Sequence, residues 1–282
     1  MIPAEFDYHR ATSVDDACSA LAAGGEDAKL LAGGHSLLPL MKLRLAAPSL
    51  LVDISGLDDL RGAERANGGW RIGGGTRHAE LQDRDDLGVV ARAASLIADQ
   101  QVRNRGTIGG SLAHGDPASD LPAVLLAAEG EVVAQGSAGE RRIAAGDLFQ
   151  DYLTTALGAD EVVTAVHLPS LDGWGWGYEK YARRAEDWAM VGVCALVKAS
   201  GGSCEDVRIG LTNMGSTPVR ATAAEEALRG GPLDADRIAA AAEHAAEGTD
   251  PPGDLNATPE YKRHLARVLT RRALEQAAES TA

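Results

Sequence analysis

Apolar residues recur at helical spacing in some stretches of the chain and gather into short runs in others, which predicts a mixture of helices and strands. Ser13-Val14-Asp15-Asp16 reads as a helix start, with an N-cap Ser and an acid three places on, leading into the alanine-rich stretch up to Ala23. Lys29-Leu30-Leu31 predicts a short strand, residues 37–45 a short helix stopped near Pro48, and Leu50-Leu51-Val52-Asp53-Ile54 a second strand. Residues 1–55 therefore read as a small βαβ-like unit.

Residues 56–172 form the next block. Trp70-Arg71-Ile72-Gly73-Gly74-Gly75-Thr76 is a strand running into a glycine turn, residues 87–100 and 119–128 have helical character, and 131–134 and 161–166 read as strands. Between Pro169 and Gly177 the composition changes to Gly, Trp and Asp, which marks a boundary. Residues 173–282 then give consecutive strands at 178–183, 188–198 and 206–212, followed by helices at 219–228, 234–246 and 259–278. Strands followed by helices predict an α+β unit.

Two glycine-rich segments carry the chemistry: Ala32-Gly33-Gly34-His35-Ser36 and Thr107-Ile108-Gly109-Gly110-Ser111. Each leaves an apolar approach, turns on paired glycines, ends on a hydroxyl and runs toward a helix. Without a Cβ, backbone N–H groups can approach a ligand closely. A helix N-terminus adds unpaired N–H groups and a positive dipole end, which favour phosphate. Two such segments suggest one ligand with two phosphates held from both sides, as in a dinucleotide. Neither segment, nor Gly73-Gly74-Gly75, matches the G-x-G-x-x-G fingerprint, and no P-loop lysine is present, so another architecture must hold it.

Composition narrows the partners. A formal net charge of −14 opposes nucleic acid and anionic membranes. No apolar run approaches the ~20 residues of a membrane helix, and the N-terminal residues lack the basic and apolar regions of a secretory signal, so the chain reads as cytoplasmic. Cys18, Cys194 and Cys204 form no C-x-x-C pair, which points to buried or incidental thiols and to no metal site on this chain.

The string Ala32-Gly33-Gly34-His35-Ser36-Leu37-Leu38-Pro39-Leu40-Met41-Lys42-Leu43-Arg44-Leu45 resembles the first FAD loop of the medium, flavin-binding subunits of carbon-monoxide-dehydrogenase-type molybdenum hydroxylases. Asn104-Arg105-Gly106-Thr107-Ile108-Gly109-Gly110-Ser111-Leu112-Ala113-His114-Gly115-Asp116-Pro117-Ala118-Ser119-Asp120-Leu121-Pro122 resembles the second. The likeness extends over essentially the whole chain, including Tyr178-Glu179-Lys180-Tyr181-Ala182-Arg183-Arg184. It implies an α+β protein with a two-subdomain FAD-binding domain (1–55 and 56–172) of the vanillyl-alcohol-oxidase-like (PCMH) type, shared with xanthine dehydrogenase. The family's C-terminal α+β domain (173–282), with a small antiparallel sheet and three helices, follows.

By the same resemblance, residues 32–36 and 107–111 wrap the FAD pyrophosphate. Asp120 matches an acid that hydrogen-bonds a hydroxyl of the cofactor's sugar or ribityl part, and Val163 a position whose backbone lies near the adenine or flavin. Lys180 matches a lysine near the flavin edge, and Trp188, across a one-residue gap, an aromatic over the isoalloxazine. Ser111 stands where many relatives carry Asn. The implied cofactor is non-covalent FAD, with no catalytic residue and no metal on this chain. The implied partners are a molybdopterin-binding large subunit and a [2Fe–2S] small subunit, in a dimer of heterotrimers.

Plainer roles compete at several positions. His35 and His114 fit turn residues, Asp116 an Asx-turn acceptor ahead of Pro117, and Arg183-Arg184 a solvated or interface pair. Lys42 and Arg44 fit either phosphate shielding or ion pairs, and Trp70, Trp174 and Trp176 fit packing. Two other functions stay open: the flavin subunit of a benzoyl-CoA-type reductase, opposed by the lack of a cysteine-rich insertion, and a flavin- or nucleotide-binding module without turnover. The substrate of the complex and its electron acceptor are not legible here. Carbon monoxide, purines, N-heterocycles and aldehydes all fit.

Overall fold

The computed structural model describes residues 2–281, so the ends of the first and last predicted units, at Met1 and Ala282, lie outside it. The first unit is built on a parallel sheet of β1 (Asp7–Arg10), β2 (Ala28–Leu31) and β3 (Leu50–Asp53), in the order β1-β3-β2. The sequence reading omits β1. Its side chains Asp-Tyr-His-Arg have no buried apolar face, and only its ladder with β3 makes it a strand. The helix Val14–Gly24 is capped as predicted, Ser13 Oγ accepting from the Asp16 N–H at 3.0 Å, and buries Ala17, Cys18 and Leu21. It docks on the next sheet through Cys18 Sγ, which donates to the Gln135 carbonyl at 3.2 Å. The helix Leu37–Leu43 ends two residues earlier than predicted because Arg44 turns left-handed at φ 59°.

The middle of the chain forms a five-stranded antiparallel sheet in the order β4 (Ala63–Ala66), β5 (Gly69–Gly73), β10 (Val162–Leu168), β6 (Glu131–Gly136), β7 (Gly139–Ala144), beside a hairpin of β8 (Phe149–Asp151) and β9 (Thr154–Thr155). Central β10 is buried almost throughout, as its mostly apolar run requires. β4 and β7 are edge strands with mostly exposed polar side chains, and no periodic signal announces them. The helix predicted at 87–100 is two helices, Val89–Ser95 and Gln100–Arg103. Ala98 at φ 43° breaks it, and Asp99 restarts it by accepting from the Val102 N–H at 2.8 Å.

In the last third, β11 (Trp174–Tyr181), β12 (Val191–Ser200), β13 (Ser203–Thr212) and β14 (Val219–Arg220) form an antiparallel sheet in chain order, followed by helices Thr222–Leu228, Ala235–Ala242 and Pro259–Glu279. The helix predicted from Val219 starts later, because Val219 and Arg220 pair with Leu211 and Gly210. The strand predicted from Trp188 starts at Val191, which leaves Trp188 in a loop. β11 begins inside the predicted boundary segment and ends at Tyr181. Its Tyr178, with Cys194 and Leu196 of β12, enters the same core as Leu121, Val124 and Val132, so the two sheets share one packed interior. That packing brings β11 to the edge of the cavity described next.

Candidate functional site

A cavity of about 580 Å³ opens between the first unit, the middle sheet and β11, within the ~300–1,000 Å³ typical of ligand sites. Ala32, Gly33, Gly34, His35, Ser36, Thr107, Gly109, Gly110, Ser111, Asp120, Val163, Lys180 and Trp188 line it, so one wall gathers residues from across the chain. Ile108 is the exception among the sequence candidates. Its side chain is 3 % exposed in the core, and its N–H donates to the Thr76 carbonyl.

The two glycine segments differ in what they offer. Residues 32–36 leave β2 as an irregular loop, and within the described residues their backbone N–H groups make no hydrogen bond. Gly34 sits at φ 78°, and a Cβ at Gly33 would collide with the Arg105 carbonyl, so the first loop rests directly on the backbone just before the second. This loop presents the free donors a phosphate requires. Residues 108–111, expected as a turn, are instead the first turn of the helix Ile108–His114. Thr107 Oγ1 accepts from the Gly110 N–H at 3.2 Å, Gly109 donates to the Gly74 carbonyl at 2.9 Å, and Ser111 donates to the Thr107 carbonyl at 3.0 Å. The two segments therefore offer different donors to a ligand held from both sides. The second segment contributes a close glycine surface, a hydroxyl and a helix end, with the amides of residues 108–111 already committed.

Its glycines serve clearance. A Cβ on Gly109 would stand 2.6 Å from the Gly74 carbonyl oxygen, and one on Gly74 would collide with the Val163 carbonyl. Helix, turn and β10 thus stack backbone on backbone, beside a bulge between Val163 and Ala165. Gly74 also lines the cavity, a role the sequence reading did not give it.

At the inner end Asp120 is buried with Lys180 and Tyr178. Lys180 Nζ donates to Asp120 Oδ2 at 2.9 Å and to the Leu96 carbonyl at 2.9 Å, and Tyr178 Oη donates to Asp120 Oδ1 at 2.7 Å. Burial pushes the Asp120 carboxyl up, and Lys180 and Tyr178 oppose it. Burial and the neighbouring carboxylate push the Tyr178 phenol well above its usual value. Each carboxylate oxygen keeps a second lone pair for a ligand hydroxyl. Sequence reasoning missed Tyr178 because a buried tyrosine on a strand gives no signal of its partner.

His78 was also missed. It opens the helix His78–Gln82, is 4 % exposed, lines the cavity, and its Nδ1 has no hydrogen-bond partner. Burial, then Arg103 and His35, push its imidazole down to about 4. An unpaired buried polar group costs ~1–3 kcal/mol. His114, half-buried in the same wall, is pushed down by burial. Trp188, 56 % exposed, stands at the mouth with Glu186 and Asp187.

The plainer readings hold at several positions. Asp116 Oδ1 accepts from the Ala118 N–H at 2.8 Å, closing an Asx turn. Arg183 hydrogen-bonds Asn256 at 3.2 Å on the surface. Trp70 lies under Arg65 and Arg84, Trp174 under Arg208, and Trp176 packs on the core. Lys42 and Arg44 are the exception, since among the described residues they make no ion pair. No group of three His, Cys, Asp or Glu among the described residues could hold a metal. All three cysteines are buried and free.

Residues 4–171 match the FAD binding domain in molybdopterin dehydrogenase, and residues 176–277 match the CO dehydrogenase flavoprotein C-terminal domain. The chain belongs to this flavoprotein family. It is a medium-chain FAD-binding subunit of the carbon monoxide dehydrogenase and molybdenum hydroxylase group, and so an oxidoreductase component. It is 40 % identical over 282 residues to the carbon monoxide dehydrogenase medium chain of Hydrogenophaga pseudoflava, covering 98 % of each chain. It is 39 % identical to the 6-hydroxypseudooxynicotine dehydrogenase complex subunit alpha of Paenarthrobacter nicotinovorans, over 98 % of this chain and 96 % of that one. Among solved structures it superposes on the Hydrogenophaga pseudoflava carbon monoxide dehydrogenase lacking the Mo-pyranopterin moiety with a TM-score of 0.97, at 42 % identity and full coverage of both chains.

The cavity of this FAD-binding chain fits the cofactor. Free amides at 32–36, the Cβ-free backbone of Gly109 and Gly110 and the buried His78 ring in the cavity wall are the features a bound pyrophosphate would use. No helix among the described residues is long and apolar enough to cross a membrane.

Proposed function

We propose that this chain is the FAD-carrying electron-transfer subunit of a heterotrimeric molybdenum hydroxylase, taking electrons from [2Fe–2S] clusters of a small partner subunit and passing them to an external acceptor. A molybdopterin-binding large subunit would oxidise the substrate, in a cytoplasmic dimer of heterotrimers. The observation that carries this reading is the single cavity joining the free amides of the 32–36 loop to Lys180 and the exposed Trp188. Such a site holds a dinucleotide along its length and leaves one end open to a partner or acceptor.

Bound FAD supplies a centre that accepts electrons singly and releases them in pairs, while the protein sets position and access. In this assignment the amides of Ala32, Gly33, Gly34, His35 and Ser36 hold the pyrophosphate, and Thr107, Gly109, Gly110 and Ser111 form its opposite wall. Ile108 acts only by anchoring that wall. Asp120 accepts a sugar or ribityl hydroxyl on its remaining lone pairs, and the Val163 main chain borders a ring system. Lys180 stands at the flavin edge, and Trp188 closes the mouth against the isoalloxazine. FAD is held non-covalently. The chain divides into units 1–55, 56–172 and 173–282.

The test uses the full chain loaded with FAD. Dithionite should bleach its flavin spectrum, while hydroxylase activity with a dye acceptor should be absent until molybdopterin and [2Fe–2S] subunits are added. Hydroxylase turnover by the single chain without metals overturns the assignment.

A further inference from the structure

His78 stands in the cavity wall without a partner. Its backbone is fixed, the N–H donating to the Gly106 carbonyl at 2.9 Å. Its ring lies against Gly106, where a Cβ would stand 2.8 Å from Cδ2 and 3.0 Å from Nε2. Gly106 is also the backbone on which Gly33 rests, so the imidazole sits behind the seam where the two glycine segments meet. Neither ring nitrogen makes a hydrogen bond among the described residues, and Nδ1 is fully enclosed.

The charged or titratable groups facing this ring are Arg103, from the helix Gln100–Arg103, and His35, from the first loop. Arg103 is itself committed to the carbonyls of Ile97 and Ala98 at 2.8 and 3.0 Å. No carboxylate is among the groups that act on the imidazole. The surroundings are thus dry and electropositive. An apolar side chain would fill this space at lower cost, and an anion is the ligand that makes an imidazole favourable there.

We infer that His78 is a ligand-binding residue of this cavity, its Nε2, the ring nitrogen that is not enclosed, hydrogen-bonding a phosphate oxygen of the bound dinucleotide. The inference rests on the FAD reading above and adds a contact that no glycine motif announces. It also links loading to protons. In the empty protein, burial, Arg103 and His35 keep the imidazole neutral at pH 7. A phosphate beside it acts in the opposite sense and favours the protonated ring, so loading takes up protons and affinity rises as pH falls.

The experiment titrates the flavin-free full chain with FAD, followed by flavin fluorescence, and with ADP, followed by calorimetry, between about pH 8 and about pH 5.5. His78→Leu should weaken FAD and ADP alike, by about tenfold at pH 7, and lose part of the wild-type pH slope. His78→Gln, which keeps a polar end but does not titrate, should recover affinity at pH 7 without recovering the slope. Because His35 and His114 share the cavity, the readout is the difference from wild type. Wild-type affinity in His78→Leu, loss of FAD binding with ADP unchanged, or an unaltered slope in His78→Gln each overturns the inference. The last applies even if the leucine variant fails to fold. A wild-type chain that binds ADP but no FAD overturns the flavin reading instead, and leaves the variants to be judged on ADP alone.

Discussion

Lys180 Nζ and Asp120 Oδ2 stand 2.9 Å apart, both side chains at most 5 % exposed, although one residue is on β11 and the other opens the helix Asp120–Ala127. This buried pair ties the C-terminal sheet to the cofactor-binding part of the chain. Tyr178, two residues from Lys180 on the same strand face, donates to the other carboxylate oxygen. Site and domain packing therefore share the same atoms.

Removing one partner of such a pair strands a buried charge. Asp120→Ala is expected to destabilise the flavin-free protein by about 3–5 kcal/mol in urea unfolding and to reduce FAD content as well. Asp120→Leu combined with Lys180→Met should recover much of the stability but not the flavin. Full recovery of flavin by the double variant would separate the pair from cofactor binding.

The glycines separate backbone from clearance. Gly34→Val adds a branched side chain at φ 78°, where its Cβ meets Leu38, and Gly110→Val adds one against Thr107 Oγ1 at 2.8 Å. Both should purify with under about a tenth of wild-type flavin, read as the ratio of flavin to protein absorbance. Gly34→Val is expected to lose more stability than Gly110→Val in the flavin-free state, because Gly34 combines a positive φ with its clash and Gly110 has the clash alone.

Flavin attachment is a direct chemical check. Acid or heat precipitation should leave a yellow supernatant that chromatographs as FAD. A colourless supernatant over a yellow pellet marks a covalent bond.

Stability of the flavin-free protein should fall as pH drops from about 6.5 to about 4. The His78 imidazole is held down to about 4 when folded and titrates near 6.5 when unfolded, so the unfolded chain binds more protons in that window. The contribution is about 3 kcal/mol at most, present above pH 6.5 and lost as pH falls to 4. Asp120 acts oppositely. Its raised carboxyl holds a proton more tightly when folded, so its contribution declines as pH rises from 3.8 through the folded value. Urea midpoints across this range for wild type and His78→Gln check the His78 share.

Thiol reactivity tests the cores. Burial pushes Cys194 up to about 12 and Cys204 up to about 11, so neither should react with an aromatic disulfide reagent at pH 8 until denaturant is added. Rapid labelling of the native chain at Cys194 would contradict the packing of β12 against β11.

The sequence by itself determined what depends on local chemistry. Ser13 caps a helix because a hydroxyl satisfies free N–H groups wherever the chain turns helical, and β10 and β12 announce themselves as mostly apolar runs. The two glycine strings and their likeness to FAD loops were equally local, and they led to the family and the cofactor. Tertiary structure decided the rest. β1 and β4 bury no side chain and β7 only Ile143, so these strands exist through their ladders to neighbouring strands. The second glycine segment became a helix start once Ile108 and Gly109 spent their amides on Thr76 and Gly74, leaving the free donors to the first loop. Tyr178, Lys180 and Asp120 form one network, and His78 is left unpaired behind the loops, because burial sets the value of a polar contact and only the folded chain decides what is buried.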